Sequence, residues 1–205
     1  HVCQFLHVKF SGVVTASVPH KAAVVYADHK SAPLWQLIVT MLKKSDNIIA
    51  AALFKKVGAL YTHTAGTWHN AAIAVNHVLG HTCHVNVNKI ELVDGSGLSI
   101  RNKVTPAQIM TALEYNYKNP RLRTIFMQAL PIAGHDGTLK NRLHHIAYKI
   151  RAKTGSLHGV AALAGYAVTN TNEQLAFVIM INDSRAKYNY KDLVDAIATL
   201  VTKYR

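Results

Sequence analysis

Ala152-Lys153-Thr154-Gly155-Ser156-Leu157-His158-Gly159-Val160 is the stretch from which the fold can be read. Its first residues complete a strand over 150–154, and two further strand patterns follow at 159–168 and 175–181. Between the last two, Asn170-Thr171-Asn172-Glu173 has the composition of a hairpin turn. These consecutive strands predict an antiparallel meander. Over 191–204, Leu193, Val194, Ile197, Leu200, Val201 and Tyr204 recur on one side of a helix that should pack across the sheet.

Working back from residue 150, the chain reads mostly as helices. Ser31-Ala32-Pro33 carries the signals of a helix start, a capping serine and a proline tolerated in the first turn. Leu34, Leu37, Ile38, Met41 and Leu42 then recur as the stripe of a buried helix. A second stripe, Ile49, Leu53 and Val57, is expected to end at Gly58. A third helix is expected over 68–79, stopped by Gly80, with a short strand over 89–93 and a turn at Asp94-Gly95-Ser96-Gly97. Thr105-Pro106 caps a helix through Ile109, Met110, Leu113 and Tyr117; another follows over 122–130, and 133–138 reads as a loop. Residues 4–27 read as extended segments. Helices, then an antiparallel sheet of at least three strands, then a covering helix define an α+β class. A sheet that small leaves an edge exposed, here expected at 175–181.

Half of the 205 residues are apolar and 16% are charged, an ordinary globular balance that excludes a disordered chain. No apolar run is long enough to span a bilayer, so no transmembrane segment is expected. The formal charge of +13 attracts polyanions, but the cations are dispersed, with no basic arm and no aromatic-interleaved RNA-binding motif. Nucleic acid is therefore not expected as a partner. Among thirteen histidines, His77, His81 and His84 cluster, and His77 and His81 share the i, i+4 spacing of a zinc pair. No H-E-x-x-H glutamate accompanies them, and no metal is expected. Cys3 and Cys83 either pair or stay reduced; spacing does not decide.

Two tripeptides carry chemistry. Ser45-Asp46-Asn47 falls between two helical patterns, where the chain can turn polar side chains into a cleft, with Asp46 as the cap of the helix turn. Lys153 adds a fixed positive charge for a carboxylate, Thr154 a hydroxyl donor, and Gly155 lacks the Cβ that would block backbone approach. Backbone N–H groups beyond Gly155 can face an extended ligand as an added strand would.

S-D-N and K-T-G are two of the three signature pieces of the penicillin-recognising serine acyltransferases, the third being S-x-x-K. Longer stretches sharpen the likeness. Pro33-Leu34 through Met41 to Asn47, Leu92-Val93-Asp94-Gly95-Ser96-Gly97-Leu98-Ser99, Leu130-Pro131-Ile132-Ala133-Gly134-His135-Asp136-Gly137-Thr138-Leu139 and 152–160 together resemble the D-alanyl-D-alanine carboxypeptidase/endopeptidase family of the penicillin-binding protein 4 (DacB) type. The resemblance covers roughly residues 28 to 183. It implies part of the serine β-lactamase/penicillin-binding-protein transpeptidase fold and a periplasmic, cofactor-free enzyme. Such an enzyme cuts peptidoglycan stem peptides through an acyl-serine and is acylated by β-lactams. By the same resemblance, Ser45 sits in the proton relay, Asn47 contacts bound peptide, and Lys153 and Thr154 hold the terminal carboxylate. Ser156 supplies half the oxyanion hole through its N–H, and His158 stands where the family often has glutamine. A second departure is Ile100, with Arg101 one position late, where an arginine commonly follows D-G-S-G-L-S.

The largest departure concerns the nucleophile. Only Ser184-Arg185-Ala186-Lys187 matches S-x-x-K, and it follows K-T-G, whereas the family places it far upstream of S-D-N. The expectation is that 1–27 returns from a missing inserted domain, that 28–205 is the C-terminal portion of a catalytic domain, and that the chain is inactive alone. A missing N-terminal half of the same enzyme is then a partner. The competing class is a non-catalytic peptidoglycan-binding module.

Overall fold

In the computed structural model, residues 28–183, 185 and 188–204 are described; the extended segments expected over 4–27, and Cys3, lie outside them. The chain divides into two units, 1–31 and 32–205. The second unit begins with α1 (Leu34–Lys44), α2 (Asn47–Thr62), α3 (Trp68–His77), a π-helical turn (Val78–Thr82), α4 (Pro106–Lys118) and α5 (Pro120–Ala129). Two 3-10 turns, Gly137–Leu139 and His144–Ile146, then lead into β1 (Ile150–Leu157), β2 (Val160–Val168), β3 (Gln174–Asn182) and α6 (Lys191–Thr202).

The sheet is an antiparallel meander in the order β1-β2-β3. Alternation divides the side chains between its two faces. Ile150, Ala152, Ala161, Leu163, Ala167 and Phe177 point to one face, where Val194 and Ala198 of α6 cover them. On the other face, Tyr166, Ala164 and Val178 meet Leu113 of α4, Leu130 and Phe126. The buried Tyr166 hydroxyl donates to the Leu113 carbonyl at 2.7 Å, which satisfies that polar atom inside the layer.

Register fixes where the chemistry stands. Lys153 pairs with Ala164 and Thr154 with Leu163, so neighbouring residues of one strand lie on opposite faces. Among the described residues, the outer edge of β1 is covered only at its start. Ala133 N–H donates to Ile150 O at 3.0 Å and Ala152 N–H to Pro131 O at 2.9 Å. Because N–H groups alternate edges along an antiparallel strand, Thr154 and Ser156 present theirs to that outer side, beyond the last rung.

Several local expectations are corrected. Ser31 does not cap α1; Pro33 is its N-cap residue and no side chain makes a cap bond. The α1 stripe is half-buried rather than buried, with Leu34 59% exposed, while α5, the 137–139 turn and α2 pack against the helix. Gly58 does not stop α2; it lies inside the helix, where a Cβ would come within 2.5 Å of Ala71 N, so it is the close contact with α3. The buried face of α2 is accordingly Phe54 and Gly58. Gly80 also does not terminate its helix, which widens into the π turn and ends near His84 at φ 56°. The strand expected at 89–93 is a single bridge between Glu91 and Lys103, since Lys103 runs at once into the Thr105 cap and has no second rung to offer. On α6 the buried side is Val194, Ala198 and Thr202, while Leu193, Leu200 and Tyr204 are exposed.

Gly58→Ala is expected to destabilise the fold by about 1–3 kcal/mol through overpacking at α2–α3. A melting curve checks it: the midpoint should fall by several degrees, about 2–4 °C per kcal/mol at this chain length. An unchanged midpoint would mean the helices are not in that contact.

Candidate active site

Ser45, Asn47, Lys153, Thr154, Gly155 and Ser156 all line one cleft of about 450 Å³. The bend that carries Ser45 is built by the end of α1. Asp46 N–H reaches back to Met41 O at 3.0 Å, a Schellman closure that puts Ser45 in the left-handed region at φ 55°. For a residue with a Cβ that conformation costs roughly 1–2 kcal/mol. Asp46 then caps α2, its Oδ1 accepting from Ile48 N–H and Ile49 N–H at 3.0 and 2.9 Å, as expected for a helix-turn cap. Asn47, first residue of α2, is thereby turned into the cleft.

Across from this bend, the Lys153 ammonium donates to Ser45 Oγ at 2.8 Å and to Thr154 O at 2.6 Å. Burial pushes the Lys153 pKa below its ordinary value. Thr154 Oγ1 donates to Thr138 Oγ1 at 2.8 Å. His158 occupies the two-residue turn after β1, exposed, and is not among the cleft-lining residues.

A third wall comes from Ser96, Gly97 and Leu98. The Asp94 carboxylate shapes that turn, accepting from Gly97 N–H at 2.6 Å, Ser99 N–H at 2.8 Å, Ser96 Oγ at 3.2 Å and Asn102 Nδ2 at 3.3 Å. Burial alone would raise its pKa, but these hydrogen bonds outweigh burial and hold it below the carboxylate range. Gly95 presses the turn onto α2, where a Cβ would collide with the Phe54 side chain. Arg142 and Lys191, with Leu157 and Val160, also line the cleft. Arg142 is held by Asp195 of α6 at 2.6 and 3.1 Å. Among the described residues no acidic side chain lines the cleft, so its field favours an anionic ligand.

Single-sequence reasoning assigns no role to Thr138, Arg142, Lys191 or the 96–98 wall. A signal exists for two of these, since Thr138 and residues 96–98 lie within the D-G-S-G-L-S and G-H-D-G-T stretches that carry the family resemblance. Arg142 and Lys191 belong to no motif. The histidine cluster lies elsewhere: the His77 and His81 rings are 4.3 Å apart, against Tyr61. Among the described residues, no group of three or more metal-binding side chains is set to hold an ion. Cys83 is half-buried, and burial pushes its thiol pKa up. Of the S-x-x-K match, Ser184, Ala186 and Lys187 lie outside the described residues.

An anion-attracting groove walled by an S-D-N bend and a K-T-G edge strand is the arrangement of the penicillin-recognising acyltransferases. The chain matches the D-Ala-D-Ala carboxypeptidase 3 (S13) family over residues 6–204 and belongs to it. It is 38% identical over 181 residues to D-alanyl-D-alanine carboxypeptidase DacB of Haemophilus influenzae, covering 86% of this chain and 37% of that one. With the D-alanyl-D-alanine carboxypeptidase of Actinomadura sp. (strain R39) it shares 36% identity over 189 residues, 89% of this chain and 34% of that protein. The structure of Haemophilus influenzae penicillin binding protein 4 (dacB), complexed with a β-lactam, superposes on 98% of this chain and 49% of its own, with a TM-score of 0.84 and 34% identity. The α+β fold, part of the transpeptidase-like architecture, is therefore shared with that protein. The chain spans between a third and a half of the length of these relatives.

The lowered Lys153 pKa gives a signed pH dependence. At neutral pH the ammonium is charged in both folded and unfolded states, and its burial weakens the fold. As pH rises through the lowered folded-state pKa toward 10.5, the native state loses the proton first. Wild-type stability, measured by urea unfolding against Lys153→Met, should therefore rise over that window. A difference that stays flat or falls with pH would contradict the burial of Lys153.

Proposed function

We propose that this chain is the substrate-binding, C-terminal portion of a penicillin-binding serine D-Ala-D-Ala carboxypeptidase/endopeptidase acting on peptidoglycan outside the cytoplasm. The observation that carries this reading is the 2.8 Å bond between Lys153 of the strand and Ser45 of the bend, which makes opposite walls of one cationic groove. In this reading a stem peptide lies along the free outer edge of β1 as an added strand. Its terminal carboxylate meets the Lys153 ammonium and the Thr154 hydroxyl, and Gly155 leaves room for the backbone. Asn47 contacts the peptide from the opposite wall, and the Ser156 N–H donates to the carbonyl oxygen under attack. His158, one residue past cleft-lining Leu157, meets more distant parts of a long substrate.

The nucleophile comes from elsewhere in this reading, because no S-x-x-K precedes Ser45. Residues 1–27 return from a domain inserted upstream, and an N-terminal half supplies the attacking serine together with strands that cover the β3 edge. As that serine attacks the scissile carbonyl, Ser45 relays its proton to the departing amine, the amide C–N bond breaks and the acyl-serine is left for water to hydrolyse. No cofactor enters this chemistry. The same groove binds β-lactams, as the β-lactam complex of the Haemophilus influenzae relative supports.

Fluorescent penicillin tests the assignment. The chain alone should show no covalent adduct by intact mass, and an adduct should appear when an upstream half bearing S-x-x-K is supplied. Lys153→Ala should cut that labelling by at least about 10²-fold, the scale of losing one pre-organised charge contact, with circular dichroism unchanged. An adduct on the chain alone would place a nucleophile within it. Absence of any adduct after complementation would leave a peptidoglycan-binding module.

A further inference from the structure

The loop 134–138 contributes Thr138 to the cleft, but its acid, Asp136, does not line it, and neither does Lys43 at the end of α1. The two nevertheless meet. Lys43 Nζ donates to Asp136 Oδ2 at 2.6 Å and to Leu130 O at 2.7 Å, with 16% of the lysine and 33% of the aspartate side chain still accessible. The other carboxylate oxygen accepts Ile132 N–H at 2.8 Å. Both other partners of the pair, Leu130 O and Ile132 N–H, are backbone groups of the segment that leads into this loop.

That loop is anchored to β1. Leu130 and Pro131 are fully buried, and Pro131 O accepts Ala152 N–H at 2.9 Å, one residue before Lys153. Lys43 stands two residues before Ser45. The ion pair therefore connects the positions flanking both members of the Ser45–Lys153 bond. Two further contacts keep the distance short. Gly137, at φ 56°, lies so close to Lys43 O that a Cβ would sit 2.8 Å from it. Thr138, next in line, takes the Thr154 hydroxyl. The neighbouring Lys44 is exposed, so only one of the two consecutive lysines is committed in this way.

We propose that the Lys43–Asp136 pair is a positioning device that sets the separation of the serine-bearing bend from the lysine-bearing strand. It acts through Ser45 and Lys153 and touches no ligand. The proposal deepens the peptide-groove reading above, on which its importance for acyl transfer rests. An ion pair suits the task better than apolar contact, because its two hydrogen-bonded ends fix direction as well as distance. Loss of either charge frees the end of α1, lets the strained left-handed Ser45 relax, and admits water to the Lys153 ammonium.

The test reads Lys153 in the whole chain without ligand. Lysine labelled with ¹³C at Cε is followed by NMR across pH, with the Lys153 signal assigned by Lys153→Arg. In the wild type Lys153 should titrate below the exposed lysines. Asp136→Asn should move it up into their range, and Lys43→Met should do the same. Lys43→Arg, which keeps the charge, should retain most of the wild-type value. Arg142 and Lys191, the other cleft cations, are untouched by these changes. If Asp136→Asn does not fold, Gly137→Ala replaces it, since it keeps both charges and displaces Lys43 through its backbone. Folded variants whose Lys153 titrates as in the wild type would reduce the pair to a staple of the fold and overturn the proposal. Binding of a D-Ala-D-Ala-terminated peptide, read on the same samples, separates the two claims. A low Lys153 titration that depends on Asp136, with no peptide bound, would remove the groove reading and leave the positioning role standing.

Discussion

Strand β1 has two edges, and the fold uses them unequally. Toward β2 it is paired along its full length, whereas on the outer side, among the described residues, the rungs stop after Ala152. Backbone groups left unpaired at a sheet edge need partners, and proteins normally cover or blunt such an edge. Here Lys153, Thr154, Gly155 and Ser156 begin where the cover ends, and all four line the cleft. The interrupted ladder turns a structural liability into a place for an extended ligand.

The polar groups around that edge are held at a thermodynamic cost. Lys153 is kept partly out of water, which lowers its pKa, and Ser45 sits in a backbone region that disfavours a side chain. What retains them is a frame of short polar links: Asp46 on α2, Asp94 on the 96–99 turn, Asp136 on Lys43 and Asp195 on Arg142. Asp46 and Asp94 shape their own turns, Asp136 and Asp195 tie distant elements together, and none of the four lines the cleft. These four acids thus serve the architecture, and the groove keeps its positive field.

The strands, α4 and the S-D-N and K-T-G walls are legible in the sequence because each has a local cause: a turn composition, a capping box, a motif with its own geometry. What misleads is also local. Gly58 reads as a stop signal, yet tertiary packing against Ala71 overrides it, and no single-sequence pattern reveals which glycine is a close contact. The α6 stripe follows hydrophobicity, but the buried side includes Ala198 and Thr202, small residues that let the helix approach the sheet. Lys43–Asp136 and Arg142–Asp195 span 93 and 53 residues, distances at which no sequence periodicity operates. The motifs name the walls, and only the folded chain discloses the ties between them.

A crystal of this chain soaked with a D-Ala-D-Ala-terminated peptide or an intact β-lactam tests the central claim most directly. Ligand density is expected along the outer edge of β1, its carboxylate within hydrogen-bond distance of Thr154 Oγ1 and of the Lys153 ammonium, with Asn47 facing it. A ligand bound elsewhere, or a carboxylate pointing away from Lys153 with the β1 edge left empty, would contradict it.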